Sequence, residues 1–168
     1  NDLNLARGST GAAAGTFSSL LFFGGGTPSG ESNATESWNG TNWTNVMPLS
    51  TARITLAGAG TSNTSSLAFG GENGPNQQSA TEEWNAGISV GAWVTGGTGN
   101  TARGNLAGAG TQTAALSFGG FGPGTTLQAL TEAYNGTAWA EVKDMNTARN
   151  NLGGSGSQTS ALVLGGQA

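Results

Sequence analysis

At 168 residues the chain is long enough for one domain with its own core. Only 8% of the residues are charged, with five Lys and Arg and a net charge of −4, which argues against a basic nucleic-acid surface and against disorder of the highly charged kind. There is no His and no Cys, which removes disulfides, the thiol nucleophile, the commonest general base and most transition-metal ligands.

The chain opens on Asn1-Asp2-Leu3-Asn4 and reaches an Ala-Arg pair at Ala6-Arg7. Tiny residues follow at 11–15, predicting a first strand crowded near an axis where larger side chains do not fit. Residues 20–25 form an apolar run ending in Gly24-Gly25, suited to a second strand buried on both faces. An irregular stretch, 26–33, carries Pro28. Thr35-Glu36-Ser37-Trp38-Asn39 predicts a third strand, and Trp43 lies on a fourth. Asn39-Gly40 between them predicts a type I′ turn, in which both central residues need positive φ.

The same series then returns. Ala52-Arg53 leads to tiny residues at 57–60, an apolar run at 67–71, an irregular stretch at 72–79 with Pro75, then Thr81-Glu82-Glu83-Trp84-Asn85 and Trp93. Ala102-Arg103 leads to 107–110, 116–120, an irregular 121–129 with Pro123, then Thr131-Glu132-Ala133-Tyr134-Asn135, Asn135-Gly136 and Trp139. Ala148-Arg149 leads to 153–156 and 162–166. The Arg spacings are 46, 50 and 46, and the longer one reflects a four-residue insertion between Trp84 and Trp93. No stretch keeps a 3.6-residue apolar period, so the chain is read as an all-β array. One segment, 1–168, divides into repeats 6–50, 51–100, 101–146 and a partial 147–168.

Four-stranded units of this length have the size of propeller blades. The order of Arg, small-residue strand, apolar strand ending in Gly-Gly, Glu-x-aromatic strand and Trp strand resembles the kelch repeat along the whole chain. It departs from that family in the residue before the double glycine and in its richness in Gly, Ala and Thr. Ala-Gly-Ala-Gly-Thr, Phe-Gly-Gly and Thr-Glu-Glu-Trp-Asn resemble the kelch-like arrays of marine phage virion proteins, tail and fibre proteins among them. The resemblance implies kelch-like β-propeller blades, three complete and four-stranded plus a two-stranded half blade, in a virion or extracellular protein. A half blade leaves an open face, so the chain is expected to be a segment of a longer protein or to close a ring with further copies. The missing initiator Met and the start within a repeat favour a segment.

Arg7–Glu36, Arg53–Glu82 and Arg103–Glu132 are each 29 residues apart. Such repetition points to a structural ion pair in each blade rather than a ring of ligand-binding charge. Trp38, Trp84 and Tyr134, like Trp43, Trp93 and Trp139, are expected to pack between blades rather than to stack on sugars. Gly96-Gly97-Thr98-Gly99 has no helix after it and is no phosphate loop. Asp2 and Asp144 sit in linkers between blades, and the seven Glu do not single out a pair for glycoside cleavage. The sequons at Asn33, Asn39, Asn42, Asn63 and Asn135 are read as chance in a chain rich in Asn, Thr and Ser.

No catalytic residue, metal or cofactor is therefore expected. What differs between repeats is the irregular stretch after the second strand, where Glu72, Asn76, Gln77, Gln78 and Phe121 are the candidate binding residues, with neutral drift as the competing reading. The expected role is a non-catalytic structural and recognition module binding a host surface glycan or a neighbouring virion protein. Its expected partners include further copies or segments that complete the propeller, with no nucleic acid and no membrane insertion. The alternatives are an architectural spacer or decoration protein without ligand, and a fragment of a glycan-processing enzyme.

Overall fold

A computed structural model describes residues 2–8, 11–87 and 91–168. Blade 1 contains β1 (Ala12–Thr16), β2 (Ser19–Phe23), β3 (Gly26–Thr27), β4 (Gly30–Glu31), β5 (Thr35–Trp38) and β6 (Trp43–Val46). Blade 2 contains β7 (Ala57–Ser62), β8 (Ser65–Phe69), β9 (Glu72–Asn73), β10 (Asn76–Gln77), β11 (Thr81–Asn85) and β12 (Ala92–Thr95). Blade 3 contains β13 (Ala107–Thr111), β14 (Ala114–Phe118), β15 (Phe121–Gly122), β16 (Thr126–Leu127), β17 (Thr131–Tyr134) and β18 (Trp139–Glu141). A last ribbon pairs β19 (Asn150–Ser157) with β20 (Ser160–Gln167).

The sheets run β1-β2-β5-β6, β7-β8-β11-β12 and β13-β14-β17-β18, all antiparallel. The molecule is thus three complete four-stranded propeller blades and a two-stranded half blade. The short pairs β3–β4, β9–β10 and β15–β16 are separate hairpins set between the second and third strands of each blade.

The innermost strands β1, β7, β13 and β19 lie side by side, and this explains their composition. A Cβ on Gly108 would stand 2.6 Å from the Phe69 ring and 2.7 Å from the Gly58 carbonyl oxygen. A Cβ on Gly154 would stand 2.5 Å from the Gly108 carbonyl oxygen. One inner strand therefore tolerates only glycine where the previous one lies against it.

The apolar second strands alternate their faces. Leu21 and Phe23 face blade 2 and join Trp84 and Trp93 in one core, while Leu67 and Phe69 join Tyr134 and Trp139 in the next. Phe23 meets Trp93 edge-on with ring centroids 5.0 Å apart, and Phe69 meets Trp139 at 4.9 Å. Each indole also donates to a hydroxyl of the preceding blade, Trp93 Nε1 to Thr35 Oγ1 at 3.0 Å and Trp139 Nε1 to Thr81 Oγ1 at 2.9 Å. A buried side chain of this size contributes about 1.5–3 kcal/mol, and an aromatic pair about 0.5–1.5 kcal/mol more.

The turns after the third strands differ from the type I′ expectation. Trp38 pairs with Trp43, so the loop holds four residues, and Gly40 takes positive φ (90°) while Asn39 does not. Asn39 Oδ1 instead accepts the backbone N–H groups of Thr41 and Asn42, and Asn135 Oδ1 accepts those of Thr137 and Ala138. The side chain closes an Asx turn, so only the glycine needs the left-handed region. In blade 2 Trp84 pairs with Trp93, and the insertion between them includes residues 88–90, which lie outside the described residues.

Candidate functional site

Each repeated Arg is the hub of a blade. Arg53 Nη1 donates to the carbonyl oxygens of Gly70 at 2.9 Å and Ala80 at 3.0 Å, and its Nη2 to Glu82 Oε1 at 2.7 Å. Arg7 makes the same three bonds to Gly24, Ala34 and Glu36, and Arg103 to Gly119, Leu130 and Glu132. The second oxygen of each Glu takes a backbone N–H three residues before the Arg: Asn4 N at 2.6 Å, Ser50 N at 2.8 Å and Asn100 N at 3.0 Å.

The double glycines belong to this arrangement. Gly70 and Gly71 both have positive φ, at 65° and 94°, which turns the Gly70 carbonyl toward Arg53 and the Gly71 N–H toward the Arg103 carbonyl of the next blade at 2.8 Å. Gly25 N donates likewise to Arg53 O, and Gly120 N to Arg149 O. Burial pulls the Arg53 and Arg103 guanidinium groups below their ordinary value, and the adjacent Glu82 and Glu132 oppose that pull. A buried pair of this kind costs about 3–5 kcal/mol to break from one side. With both carboxylate oxygens engaged inside the blade, these residues hold chain rather than ligand.

The aromatics are spent in the same way. Trp84, Tyr134 and Trp139 are buried, and Tyr134 donates its hydroxyl to Glu83 of the preceding blade. Burial, with the Glu83 bond second, pushes the Tyr134 pKa up to about 12. Trp38 and Trp43 are half-buried and lie against each other at 5.3 Å, and among the described residues neither joins the cores between blades.

A repeated amide staple escaped the sequence reading. Gln112 Nε2 donates to Trp84 O at 2.7 Å, Gln158 Nε2 to Tyr134 O at 2.6 Å and Asn63 Nδ2 to Trp38 O at 3.1 Å. Each amide sits in the turn between first and second strands and reaches back one blade. The signal was one Asn or Gln per repeat at that turn, and in blade 1 the position holds Phe17, 89% exposed.

Of the candidate binding residues, Glu72, Asn76, Gln77 and Phe121 lie on the short hairpins, and Gln78 follows directly after β10. Isolated bridges Gly8–Gly26, Ile54–Glu72 and Gly104–Phe121 pin each hairpin to the segment that begins its blade. The first two hairpins are tied together, since Gly74 N donates to Glu31 Oε1 at 2.7 Å, and the second is tied to the segment that begins blade 3, where Asn105 Nδ2 donates to Glu72 Oε1 at 3.4 Å. The Glu72 side chain thereby lies against Gly104, the bridge partner of Phe121. Gln78 is largely structural: its carbonyl accepts Arg103 N at 3.0 Å and its amide donates to Asn76 O at 3.1 Å. Asn76 is exposed and Gln77 half-buried beside the Pro75 tip, and Phe121 is half-buried. The result is a row of three fixed hairpins with different side chains.

No protein-family model matches this chain, and no curated protein matches it.

Proposed function

We propose that the chain is a non-catalytic structural and recognition module of kelch-like blades, carried on the surface or tail of a phage virion. Its row of hairpins would contact a host surface glycan or a neighbouring virion protein. The observation that carries this reading is the contrast between β3–β4, β9–β10 and β15–β16, which differ in sequence, and the Arg–Glu–glycine junctions that hold them, which do not. Rigid scaffolds that present varied tips are where binding surfaces tend to be built. The kelch and phage assignments rest on the order and flavour of the repeats.

The test is a double variant, Phe121→Ala with Gln77→Ala. Adsorption to host cells, or binding on a glycan array, should fall at least tenfold while the circular dichroism spectrum and melting temperature stay near those of the parent. Unchanged binding by a folded double variant would leave the hairpins without a recognition role and favour an architectural spacer. Sugar release from host envelope would favour the enzyme reading instead.

A further inference from the structure

We infer that Asn39 and Asn135 are sites of spontaneous conversion to aspartate and isoaspartate, and that Asn73, in the same Asn-Gly dipeptide, is protected by the fold. The chain has three such dipeptides, Asn39-Gly40, Asn73-Gly74 and Asn135-Gly136. The reaction is intramolecular. The backbone nitrogen of the glycine attacks Cγ of the asparagine and gives up its proton, the Cγ–Nδ2 bond breaks, and the amide leaves with that proton as ammonia. Water then opens the succinimide ring. Attack at Cγ leaves aspartate, and attack at the main-chain carbonyl carbon leaves isoaspartate. A glycine suits the second position because it has no Cβ to obstruct the approach. What the fold decides is whether the nitrogen, the amide and the developing charge are free, held or supported.

In the outer turns of blades 1 and 3 everything the reaction needs is available. Asn39 and Asn135 are exposed to water. Gly40 N and Gly136 N donate to no acceptor among the described residues, and neither does Nδ2 of Asn39 or Asn135. Asn39 Oδ1 accepts Thr41 N at 3.0 Å and Asn42 N at 2.9 Å, and Asn135 Oδ1 accepts Thr137 N at 3.0 Å and Ala138 N at 2.9 Å. Negative charge gathers on Oδ1 as the glycine nitrogen adds to Cγ, so two donors already in place stabilise it. Asn73 differs at each point. It is half-buried, its Nδ2 donates to Ala52 O at 2.9 Å, and Gly74 N donates to Glu31 Oε1 at 2.7 Å. Attack there has to break the bonds of both the nucleophile and the leaving group. Blade 2 has no such site in its outer turn, because Asn85 is followed by Ala86, whose N donates to Thr64 O at 3.1 Å. The two products differ in consequence. An aspartate still accepts the same two N–H groups and adds a negative charge at the tip of its blade. An isoaspartate inserts a methylene into the main chain between the paired residues Trp38 and Trp43, or Tyr134 and Trp139, and disturbs their register. These sites do not rest on the recognition reading of the short hairpins.

The test is to age the whole chain in mildly alkaline buffer, folded and in urea, and to map its peptides by mass spectrometry with fragmentation that separates aspartate from isoaspartate. In the folded chain Asn39 and Asn135 should convert to both products at least tenfold faster than Asn73, and faster still as pH rises, since the glycine nitrogen must lose its proton. In urea the three rates should converge. Glu31→Ala releases Gly74 N and should raise the rate at Asn73 at least threefold in a chain whose circular dichroism shows it folded. Conversion of Asn73 as fast as the other two in the folded chain overturns the inference. So does survival of Asn39 and Asn135 in the folded chain under conditions that convert them in urea. Aspartate formed without isoaspartate would mean direct hydrolysis and overturn the attack by glycine, and an unchanged Asn73 in folded Glu31→Ala would overturn the protection assigned to Gly74.

Discussion

Tyr134 is the only tyrosine in the chain, so its titration can be followed without interference from another phenol. Its pKa is raised from an ordinary value of 10.0 to about 12, and the folded state therefore holds the phenolic proton more tightly than the unfolded chain does. Stability from this group is fully present below pH 10 and is lost as pH rises from 10 toward 12, because the unfolded state gives up its proton first. The whole effect is on the order of 3 kcal/mol. Absorbance at the phenolate band should show a midpoint near 12 in the folded protein, and Tyr134→Phe should flatten the alkaline fall in the urea midpoint over that window. A midpoint near 10 with the fold intact would show that neither burial nor the Glu83 contact holds the proton.

At the level of the strand, close approach decides the sequence. Gly108→Ala places a methyl group against the Gly58 carbonyl, which is backbone and cannot swing aside, so urea denaturation should show a loss of about 1–3 kcal/mol. Gly153→Ala, whose nearest neighbour would be 3.9 Å away, is the control and should be neutral or slightly stabilising. Equal losses at both sites would mean that strand propensity and not contact sets the composition. This crowding was legible in the sequence, because the runs at 57–60 and 107–110 recur with the arginine. The 29-residue Arg–Glu spacing was legible too, and the structure closes each of those pairs within 3.0 Å. The short hairpins were not, since two-residue strands such as β9 and β10 have no period to read. Nor were the staples, because an isolated Gln112 or Gln158 looks like any surface amide until its partner carbonyl one blade away is seen. The turn type failed because Asn39 satisfies the turn with its side chain rather than with its backbone angle.

Across the whole molecule, order should follow how many neighbours a blade has. β8 lies in a blade covered on both sides, while β20 is mostly exposed, with Leu162 at 58% and Leu164 at 54%. Local opening follows such differences in buried contact. Hydrogen exchange on the chain alone should be slowest in β8 and β14 and fastest in β19 and β20, and uniform exchange would mean that the blades open as one unit. The backbone of each arginine carries a different consequence. Arg103 N meets Gln78 O and Arg103 O meets Gly71 N, while Arg149 N meets Gln128 O and Arg149 O meets Gly120 N. These links between one blade and the next are made by main-chain atoms, indifferent to the side chains that the preceding blade displays. A duplication or deletion of one whole repeat therefore keeps this main-chain fastening, and what has to be matched at a new joint is the side-chain contacts, such as Tyr134 with Glu83.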